Sequence, residues 1–252
     1  MPSRALAQQV DDAPPIAVEH ELQTLSYVVA HDLSASIRHM TSFSRMFAAE
    51  FGGDLTKKQK LYADHLESAG IQCAAMLKQL LVYSQVQSHS LVKALHDPTP
   101  LIRLQGLRLT ARAESEPAEI SVAPLGPVYA DQDLLSQAIA ALLDNAIKFR
   151  RPGVAPRVVV EPAHDDAFWR IRVRDNGIGV DPRYREAAFS MFRRLNRADA
   201  YPGLGAGLAI CRRIARRHGG EATFADCSEG ACLELAVPQT DKHSRRGGRT
   251  AL

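Results

Sequence analysis

The stretch at residues 135–149 reads Leu-Ser-Gln-Ala-Ile-Ala-Ala-Leu-Leu-Asp-Asn-Ala-Ile-Lys-Phe. Its apolar residues recur at intervals of three and four, which predicts a helix with one buried face. On that helix Asn145 and Lys148 lie three residues apart, so their side chains project near one another. Because an amide oxygen can ligate Mg²⁺ and an ammonium can face phosphate, the pair fits the needs of Mg-ATP.

Two glycine-rich turns follow this helix, Asp175-Asn-Gly-Ile-Gly179 and Gly203-Leu-Gly-Ala-Gly-Leu208. They match neither the dinucleotide fingerprint, which needs glycine at Leu208, nor the Walker loop, which needs a Gly-Lys-Ser/Thr ending. Instead, an acidic residue enters the first turn, and the second turn opens an amphipathic helix whose N–H groups can hold phosphate. The sequence therefore predicts nucleotide binding by a different route.

Together these motifs resemble those of the sensor histidine kinases, whose catalytic domain belongs to the gyrase-type ATPase superfamily. The matching pieces are the N box at residues 145–149, the G1 box at 175–179, the F box at 189–194 and the G2 box at 203–208. Four boxes in the family's order make a specific match, whereas one alone would be weak. Among the subgroups, residues 18–238 most resemble the kinase modules of phytochrome-like soluble kinases.

The resemblance implies ATP and Mg²⁺ as cofactors. It makes Asn145 the metal ligand and Asp175 the residue that reads the adenine amino group. The remaining residues that it assigns to nucleotide binding lie in the four boxes: Lys148, Gly177, Gly179, Arg194, Gly203, Gly205, Gly207 and Leu208. Of these, Arg194 is either a group that neutralises phosphate or a solvated charge.

Far upstream, residues 27–38 resemble the H box, in which His31 is the phosphorylated histidine and Asp32 orients its ring or accepts its proton. An apolar stripe runs along the surrounding helix, and His31 shares a different face with Thr24 and Arg38, so we expect it to be exposed. An isolated His-Asp pair would more simply be a surface feature, and eight other histidines are present among the nine in the chain. Its position ahead of the ATPase boxes favours the phosphoacceptor.

We expect an α+β protein in four parts. Residues 1–15 are a flexible leader, and residues 16–92 form a long helical hairpin, broken at Gly52-Gly53-Asp54, for dimerisation and histidine phosphotransfer. Because such a hairpin cannot bury its apolar stripe alone, two copies are expected to form a dimeric four-helix bundle. Residues 97–240 are the ATP-binding catalytic domain, and residues 241–252 are a basic disordered tail.

The catalytic domain is predicted to be an α/β sandwich. Helices around residues 134–149 and 208–218 should cover one face of a sheet, and residues 232–237 should form its last strand. Short alternating runs predict further strands, at 102–110, 128–129, 157–160 and 169–173.

The activity that the resemblance implies is ATP-dependent autophosphorylation of His31, followed by transfer to an aspartate on the receiver domain of a response regulator. The partners are then a second copy of the chain and that regulator. No sensory domain is recognised, so input is expected from a separate sensor protein, from a further domain or from the bundle itself. A net charge of +3 is too small to indicate nucleic acid, and no apolar run of about 18 residues predicts a membrane span. Four cysteines without paired metal-ligand spacing suit a reduced, cytoplasmic setting.

Departures from the family pattern leave a second interpretation open. Ser36 replaces the usual proline of the H box, and Ala141 replaces the polar residue four positions before Asn145. Slower phosphorylation is expected from the second change, and Ala35 predicts weak phosphatase activity. The alternative is a catalytically weak or inactive histidine-kinase-like scaffold or histidine phosphotransfer protein. A gyrase-like or chaperone ATPase is disfavoured, because Ala141 stands where its water-activating carboxylate would be.

Overall fold

The computed structural model describes residues 15–51, 55–112, 118–163, 165–196 and 200–239, with side chains from residue 33 onward except at 111 and 112. The chain divides into two compact units, Met1–Ser88 and His89–Leu252. The predicted leader up to residue 14, the Gly52-Gly53-Asp54 break and the tail from residue 240 lie outside the described residues. The four domain boundaries therefore stay predictions.

The first unit is a helical hairpin of α1 (Pro15–Phe51) and α2 (Lys57–Ser88), as the sequence predicts. The helices run antiparallel, since Ser44 Oγ donates to the Ala63 carbonyl at 3.2 Å and Arg45 pairs with Glu67. At the start of α2, the Thr56 amide donates to Gln59 Oε1 at 2.9 Å, and the Gln59 amide donates back to Thr56 Oγ1 at 3.3 Å. This reciprocal pair is a capping box that fixes where α2 begins.

Large apolar side chains remain exposed along both helices of the hairpin. On α1 these include four of the residues in the predicted stripe, Leu33, Met40, Phe43 and Phe47. On α2 they are Leu61, Tyr62, Leu66, Ile71 and Leu80. None of the described helices combines enough length and apolar character to cross a membrane.

The second unit contains two sheets and three α-helices in the described ranges. The main sheet has the order β2 (Glu119–Val122), β4 (Arg157–Ala163), β5 (Phe168–Asp175), β7 (Cys232–Pro238) and β6 (Glu221–Ala225). Only the β2–β4 pair is parallel. A second sheet pairs β1 (Lys93–His96) with β3 (Val128–Asp131). The helices are α3 (Thr99–Arg112), α4 (Gln132–Lys148) and α5 (Gly207–Arg217), with short 3₁₀ turns at Pro182–Tyr184 and Ala187–Phe189.

The core lies between the main sheet and the two helices α4 and α5. Along β5 the side chains of Trp169, Ile171 and Val173 are buried in alternation, as expected for a strand with one covered face. Leu142 and Leu143 of α4 are fully buried, and α5 buries seven of its residues. This two-layer arrangement after a helical hairpin confirms the predicted fold class.

The other face of the main sheet is covered by paired charges. Arg170 on β5 contacts Asp165 and Glu234, each at 2.6 Å, and Arg172 contacts Glu234 at 3.0 Å. Arg174 pairs with Glu161 on the neighbouring strand. Opposite charges on adjacent strands stabilise a solvated sheet face, so this surface needs no further layer.

The predicted strand at residues 102–110 is wrong, because this segment lies within α3. Burial recurs there at Ile102 and Gly106, four residues apart, which is a helical spacing. Asp97 Oδ1 accepts hydrogen bonds from the amide and hydroxyl of Thr99, at 2.9 and 2.6 Å, at the point where the helix begins. The short strands β1, β2 and β6 were not predicted.

A buried polar cluster joins the far ends of α4 and α5. Asp131 Oδ1 caps α4 by accepting from the Leu134 amide at 3.1 Å, and Oδ2 accepts from Val92 at 3.0 Å and contacts His89 Nε2 at 3.0 Å. The Asp131 amide in turn donates to His218 Nε2, at the end of α5, at 3.0 Å. The cluster holds the amino end of α4 against the carboxyl end of α5, at the ends of these helices that lie away from the N box and the G2 box.

Candidate active site

The N box lies at the carboxyl end of α4, where the helix presents Asn145 and Lys148. The side chain of Asn145 is half-buried, and its amide makes no hydrogen bond to any residue in the described ranges. The backbone carbonyl of Asn145 accepts a hydrogen bond from the Phe149 amide at 3.1 Å, at the point where the helix ends. A half-buried amide that lacks a protein partner is available to a ligand.

Lys148 is a half-buried cation that faces the G2 box. Its Nζ lies 4.7 Å from the centroid of the Phe149 ring, and a Cβ built on Gly203 would lie 2.8 Å from it. Burial lowers the pKa of Lys148, and the nearby Arg194 guanidinium lowers it further, against the opposing effect of Asp144. Lys148 forms no ion pair within the part of the chain that the structure describes. A half-buried cation that forms no ion pair and lies beside a second cation favours the binding of a negative group.

Asp175, at the end of β5, is buried at the entrance to the G1 turn. Its Oδ1 accepts hydrogen bonds from the amides of Gly177, at 2.8 Å, and Ala231, at 3.1 Å. Among the described residues no group donates to Oδ2. Burial raises the pKa of Asp175, although the two amides and Arg151 oppose this shift. One carboxylate oxygen is therefore fixed by the backbone, and the other is left to accept from a ligand.

The G1 turn packs tightly on the residues around it. The Ile178 amide donates to the Phe149 carbonyl at 2.9 Å, and a Cβ on Gly177 would collide with that same oxygen. Gly179 has φ +72°, and a Cβ there would lie 2.7 Å from the Gly230 carbonyl oxygen. Arg151 Nε donates to the Gly177 carbonyl at 3.0 Å. Glycine is therefore required at position 177 by space and at position 179 by both conformation and space.

The G2 box forms a second turn whose backbone angles favour glycine. Gly203 has φ +134° and Gly205 has φ +72°, and a Cβ on Gly205 would lie 2.6 Å from the Arg193 carbonyl oxygen. The Phe192 amide donates to the Gly205 carbonyl at 3.0 Å, and Phe192 itself has φ +61°. A non-glycine residue in this region is uncommon and indicates that surrounding contacts hold it there.

The helix α5 begins directly after this turn with an open amino terminus. The residue before it, Ala206, makes no side-chain capping bond, and the first turn has no acidic residue. By contrast, α4 is capped by Asp131 and carries Asp133 in its first turn. The first N–H groups of α5 are therefore available to an anion.

Two G2 residues contact the core and the N box helix. Leu208 is buried, so its side chain packs in the core of the second unit. A Cβ on Gly207 would lie 3.7 Å from the Ala141 Cβ, which places Ala141 on the side of α4 that faces the start of α5. The position where the family usually has a polar side chain thus adjoins this open helix end.

The F box is anchored by a buried arginine on α5. Arg212 lies over the Phe189 ring, with its Cζ 3.9 Å from the centroid, and binds Glu186 through two hydrogen bonds of 2.5 and 2.9 Å. It also donates to the Ala222 carbonyl at 3.1 Å. These contacts fix the start of the F box on the helix that carries the G2 turn.

The predicted residues fall into three places. Lys148, Arg194 and Gly203 are close together, and Asp175, Gly177 and Gly179 form a second cluster that also involves Phe149 and Gly230. His31 and Asp32 lie within α1 of the first unit, and their side chains are outside the described residues.

Sequence reasoning missed two residues that support these clusters. Arg151 binds the Gly177 carbonyl, and the Arg-Arg pair that directly follows the N box was the available signal. Tyr201 donates its hydroxyl to the Arg150 carbonyl at 3.0 Å. Tyr201 stands two residues before the first glycine of the G2 box, but the sequence gives no sign of its partner.

Part of the second unit matches the model of a known family. Residues 130–241 match the model of the histidine kinase-, DNA gyrase B-, and HSP90-like ATPases. The chain is 29% identical over 231 residues to Cyanobacterial phytochrome A of Nostoc sp. (strain PCC 7120), covering 91% of this chain and 30% of that protein. It is 27% identical over 239 residues to the Sensor protein KdpD of Escherichia coli (strain K12), covering 92% and 25%. The chain thus spans 30% or less of the length of these relatives.

A solved structure shows the same fold over most of the chain. Full-length ShkA in complex with AMPPNP superposes with a TM-score of 0.60 at 24% identity, covering 84% of this chain and 44% of that one. The catalytic domain of histidine kinase ThkA gives a TM-score of 0.50 at 22% identity, covering 59% and 98%. These structures show the predicted fold, and the family match together with the sensor-kinase relatives confirms the resemblance to sensor histidine kinases with this ATPase domain.

Proposed function

We propose that this chain, whose residues 130–241 carry an ATPase domain of the histidine kinase type, is a protein-histidine kinase that transfers a phosphoryl group from ATP to His31. The observation that carries the proposal is the half-buried Lys148 beside Gly203 and Arg194, without an anionic partner in the described ranges. The open amino terminus of α5 adds N–H donors to the same surroundings. Cations and helix N–H groups together suit a polyphosphate.

The opposite part of the site fits the base of the nucleotide. Asp175 Oδ2 is left without a described donor in a buried setting, and an exocyclic amino group such as that of adenine can donate to it. Gly177, Gly179 and Gly230 leave no room for side chains around this carboxylate. We therefore assign Asp175 to adenine recognition, which favours ATP over GTP because guanine has a carbonyl at the corresponding position.

Asn145 is the residue that we assign to Mg²⁺. Within the described ranges no group of three or more His, Cys, Asp or Glu side chains could hold a metal ion. The free amide oxygen of Asn145 would therefore share the ion with phosphate oxygens, which is the hard-ligand setting that Mg²⁺ prefers. When bound, Mg²⁺ would neutralise charge on the phosphates.

The phosphoryl transfer itself needs positioning and charge neutralisation more than covalent help from the protein. Lys148, Arg194 and the G2 amides would hold the phosphates, while neutral His31 supplies the attacking nitrogen. Asp32 would orient the imidazole through its other nitrogen or accept its proton. These roles of His31 and Asp32 rest on the H-box resemblance in the sequence.

We further propose a homodimer through the hairpin and transfer of the phosphoryl group to an aspartate of a response regulator. The exposed apolar stripe supports the first, because large apolar patches on a monomer usually mark an interface. The second follows from the chemistry of phosphohistidine, a reactive donor, and from the sensor-kinase relatives. A reducing, cytoplasmic setting suits the four cysteines, all of which are free thiols.

The test is incubation of the full chain with γ-labelled ATP and Mg²⁺. We expect an acid-labile label that is lost in His31→Gln but kept in His39→Gln, since His39 is an exposed histidine on the same helix. Label that persists in His31→Gln would refute the phosphoacceptor.

A second function, a weak or inactive scaffold or phosphotransfer protein, is favoured by one observation. The methyl group of Ala141 faces Gly207 at the open end of α5, where the family usually has a polar side chain. No label from a folded wild-type chain would favour this function. In that case phosphate on His31 would have to come from another phosphorylated protein.

A further inference from the structure

Tyr201 contacts both the end of α4 and Arg194, which lie on two sides of the part of the site that we assign to phosphate. Its hydroxyl donates to the Arg150 carbonyl at 3.0 Å, and its ring centroid lies 5.2 Å from that of Phe149. Its own carbonyl accepts a hydrogen bond from Arg194 Nη2 at 2.8 Å. The residue thus joins the lead into the G2 box to the end of α4 and also holds Arg194.

These contacts lead directly to Lys148. The Phe149 ring that contacts Tyr201 also lies under Lys148 Nζ, 4.7 Å from its centroid. Two residues after Tyr201, the backbone of Gly203 passes close to the same Nζ. The Phe149 ring is therefore held by two contacts, the cation over its face and the Tyr201 ring beside it.

The cations need such a support, because Lys148 and Arg194 repel each other. Burial and the nearby Arg194 lower the pKa of Lys148, whereas Asp144 raises it. No described carboxylate pairs with Lys148 to hold it in place. Besides the attraction of Asp144, the contact with the Phe149 ring therefore helps to hold Lys148 beside the G2 turn.

We propose that Tyr201 is a positioning residue that holds Lys148, Arg194 and Gly203 in the arrangement that receives the terminal phosphates of the nucleotide. The identity of the ligand rests on the proposed function, whereas the positioning of Lys148 does not. Two measurements separate these parts.

The first measurement uses no nucleotide. In the full chain, lysines are converted to ¹³C-dimethyl-lysine, and the Lys148 methyl signal is assigned by its loss in Lys148→Arg. The Phe149 ring should displace this signal from those of exposed lysines. In Tyr201→Ala we expect it to move to the exposed-lysine position, and in Tyr201→Phe, which keeps the ring, to stay displaced. An unchanged signal in Tyr201→Ala would overturn the positioning role.

The second measurement compares ATP with adenosine by titration calorimetry and NMR. Loss of one hydrogen bond in Tyr201→Phe should weaken ATP binding about three- to tenfold, and Tyr201→Ala should weaken it more than about tenfold. Adenosine should bind each variant within about twofold of wild type, because Asp175 is not altered. Tyr129→Phe is the matched control, since the Tyr129 hydroxyl has no hydrogen-bond partner among the described residues.

The outcomes distinguish the two claims. Equal weakening of ATP and adenosine in Tyr201→Phe would overturn the inference, because it would show that Tyr201 supports the whole fold instead of the phosphate end. Absence of ATP binding by the wild-type chain would overturn the proposed function and the phosphate assignment, while the Lys148 signal still decides whether Tyr201 positions the cation.

Discussion

At the scale of single residues, Gly179 and Gly153 share a φ of +72° but differ in their surroundings. A Cβ on Gly179 would lie 2.7 Å from the Gly230 carbonyl, whereas nothing lies within 4 Å of one on Gly153. Both alanine variants should lose about 1–2 kcal/mol of unfolding free energy to the backbone conformation. Only Gly179→Ala should lose a further 1–3 kcal/mol, roughly, from crowding.

The comparison is made by urea unfolding of the two variants and by their ATP affinity. Because Gly230 precedes the Ala231 amide that binds Asp175, Gly179→Ala should also weaken ATP binding. Gly153→Ala should bind ATP like the wild type. Equal stability losses in both variants would show that the G1 turn can shift to accept a side chain.

Asp175→Asn separates recognition from stability. The amide oxygen of asparagine can still accept from Gly177 and Ala231, and burial of a neutral group removes the cost that raises the pKa of the carboxyl. We therefore expect unchanged or increased unfolding free energy at pH 7 and an ATP affinity about 10- to 100-fold lower, the loss typical of a charged hydrogen bond. An unaltered dissociation constant would remove Asp175 from adenine recognition.

The residues that the sequence identified for the site are those with local signals. The glycines of both boxes and Asp175 stand out because turns restrict residue type at fixed spacing. The Tyr201 contact escaped notice because its hydroxyl bonds a carbonyl 51 positions away. Such a partner depends on how the sheet and helices pack, which spacing along the chain does not encode.

At the scale of secondary structure, His218 links the ends of α4 and α5 as a neutral imidazole. Its Nε2 accepts from the Asp131 amide at 3.0 Å, so the proton is on Nδ1, which donates to the Ile214 carbonyl at 2.9 Å. Burial lowers its pKa below the ordinary value of 6.5, and Lys93 and Arg217 act in the same direction, although Asp131 and the Ile214 bond oppose them. Protonation of the His218 ring at Nε2 would place this new N–H against the Asp131 N–H, so that two donors would face each other.

We predict that His218 makes the fold less stable in mild acid. Because its folded pKa is lowered, the stability it contributes is complete above pH 6.5 and is lost as the pH falls through the folded pKa. The loss cannot exceed about 1.4 kcal/mol per pH unit. Unfolding free energies at pH 7.5 and 5.5 should therefore differ more for wild type than for His218→Gln. The same pH dependence in both proteins would contradict this.

The helix α3 was predicted as a strand, and its sequence shows why. In residues 102–110 apolar side chains occur at mixed intervals, and Leu104 and Leu107 are exposed, so they blur the helical period. By contrast, α4 buries seven of its ten apolar side chains and leaves the other three half-buried, so its period is clear. The strands β1, β2 and β6 are only four or five residues long, too short for an alternation to be distinguished.

At the scale of the whole molecule, the hairpin's exposed stripe predicts the oligomeric state. Met40 is 65% exposed and Phe43 is 69% exposed on α1. We expect light scattering at micromolar concentration to give a dimer mass for wild type. The double variant Met40→Glu/Phe43→Glu should be monomeric, because charges on the stripe cannot be buried. His39→Glu, on an exposed position beside the stripe, should stay dimeric. A wild-type monomer would refute the bundle.

The open amino terminus of α5 and the neighbouring cations also bear on how long the molecule survives. A ligand that binds only the folded state stabilises it by about 2.7 kcal/mol at 100 times its dissociation constant. Because Lys148 and Arg194 carry the same charge and Lys148 forms no ion pair in the described ranges, the second unit should open most readily at that end when nucleotide is scarce. Resistance to proteases would then follow the energy supply of the cell, so that a starved cell clears this protein faster than a well-fed one.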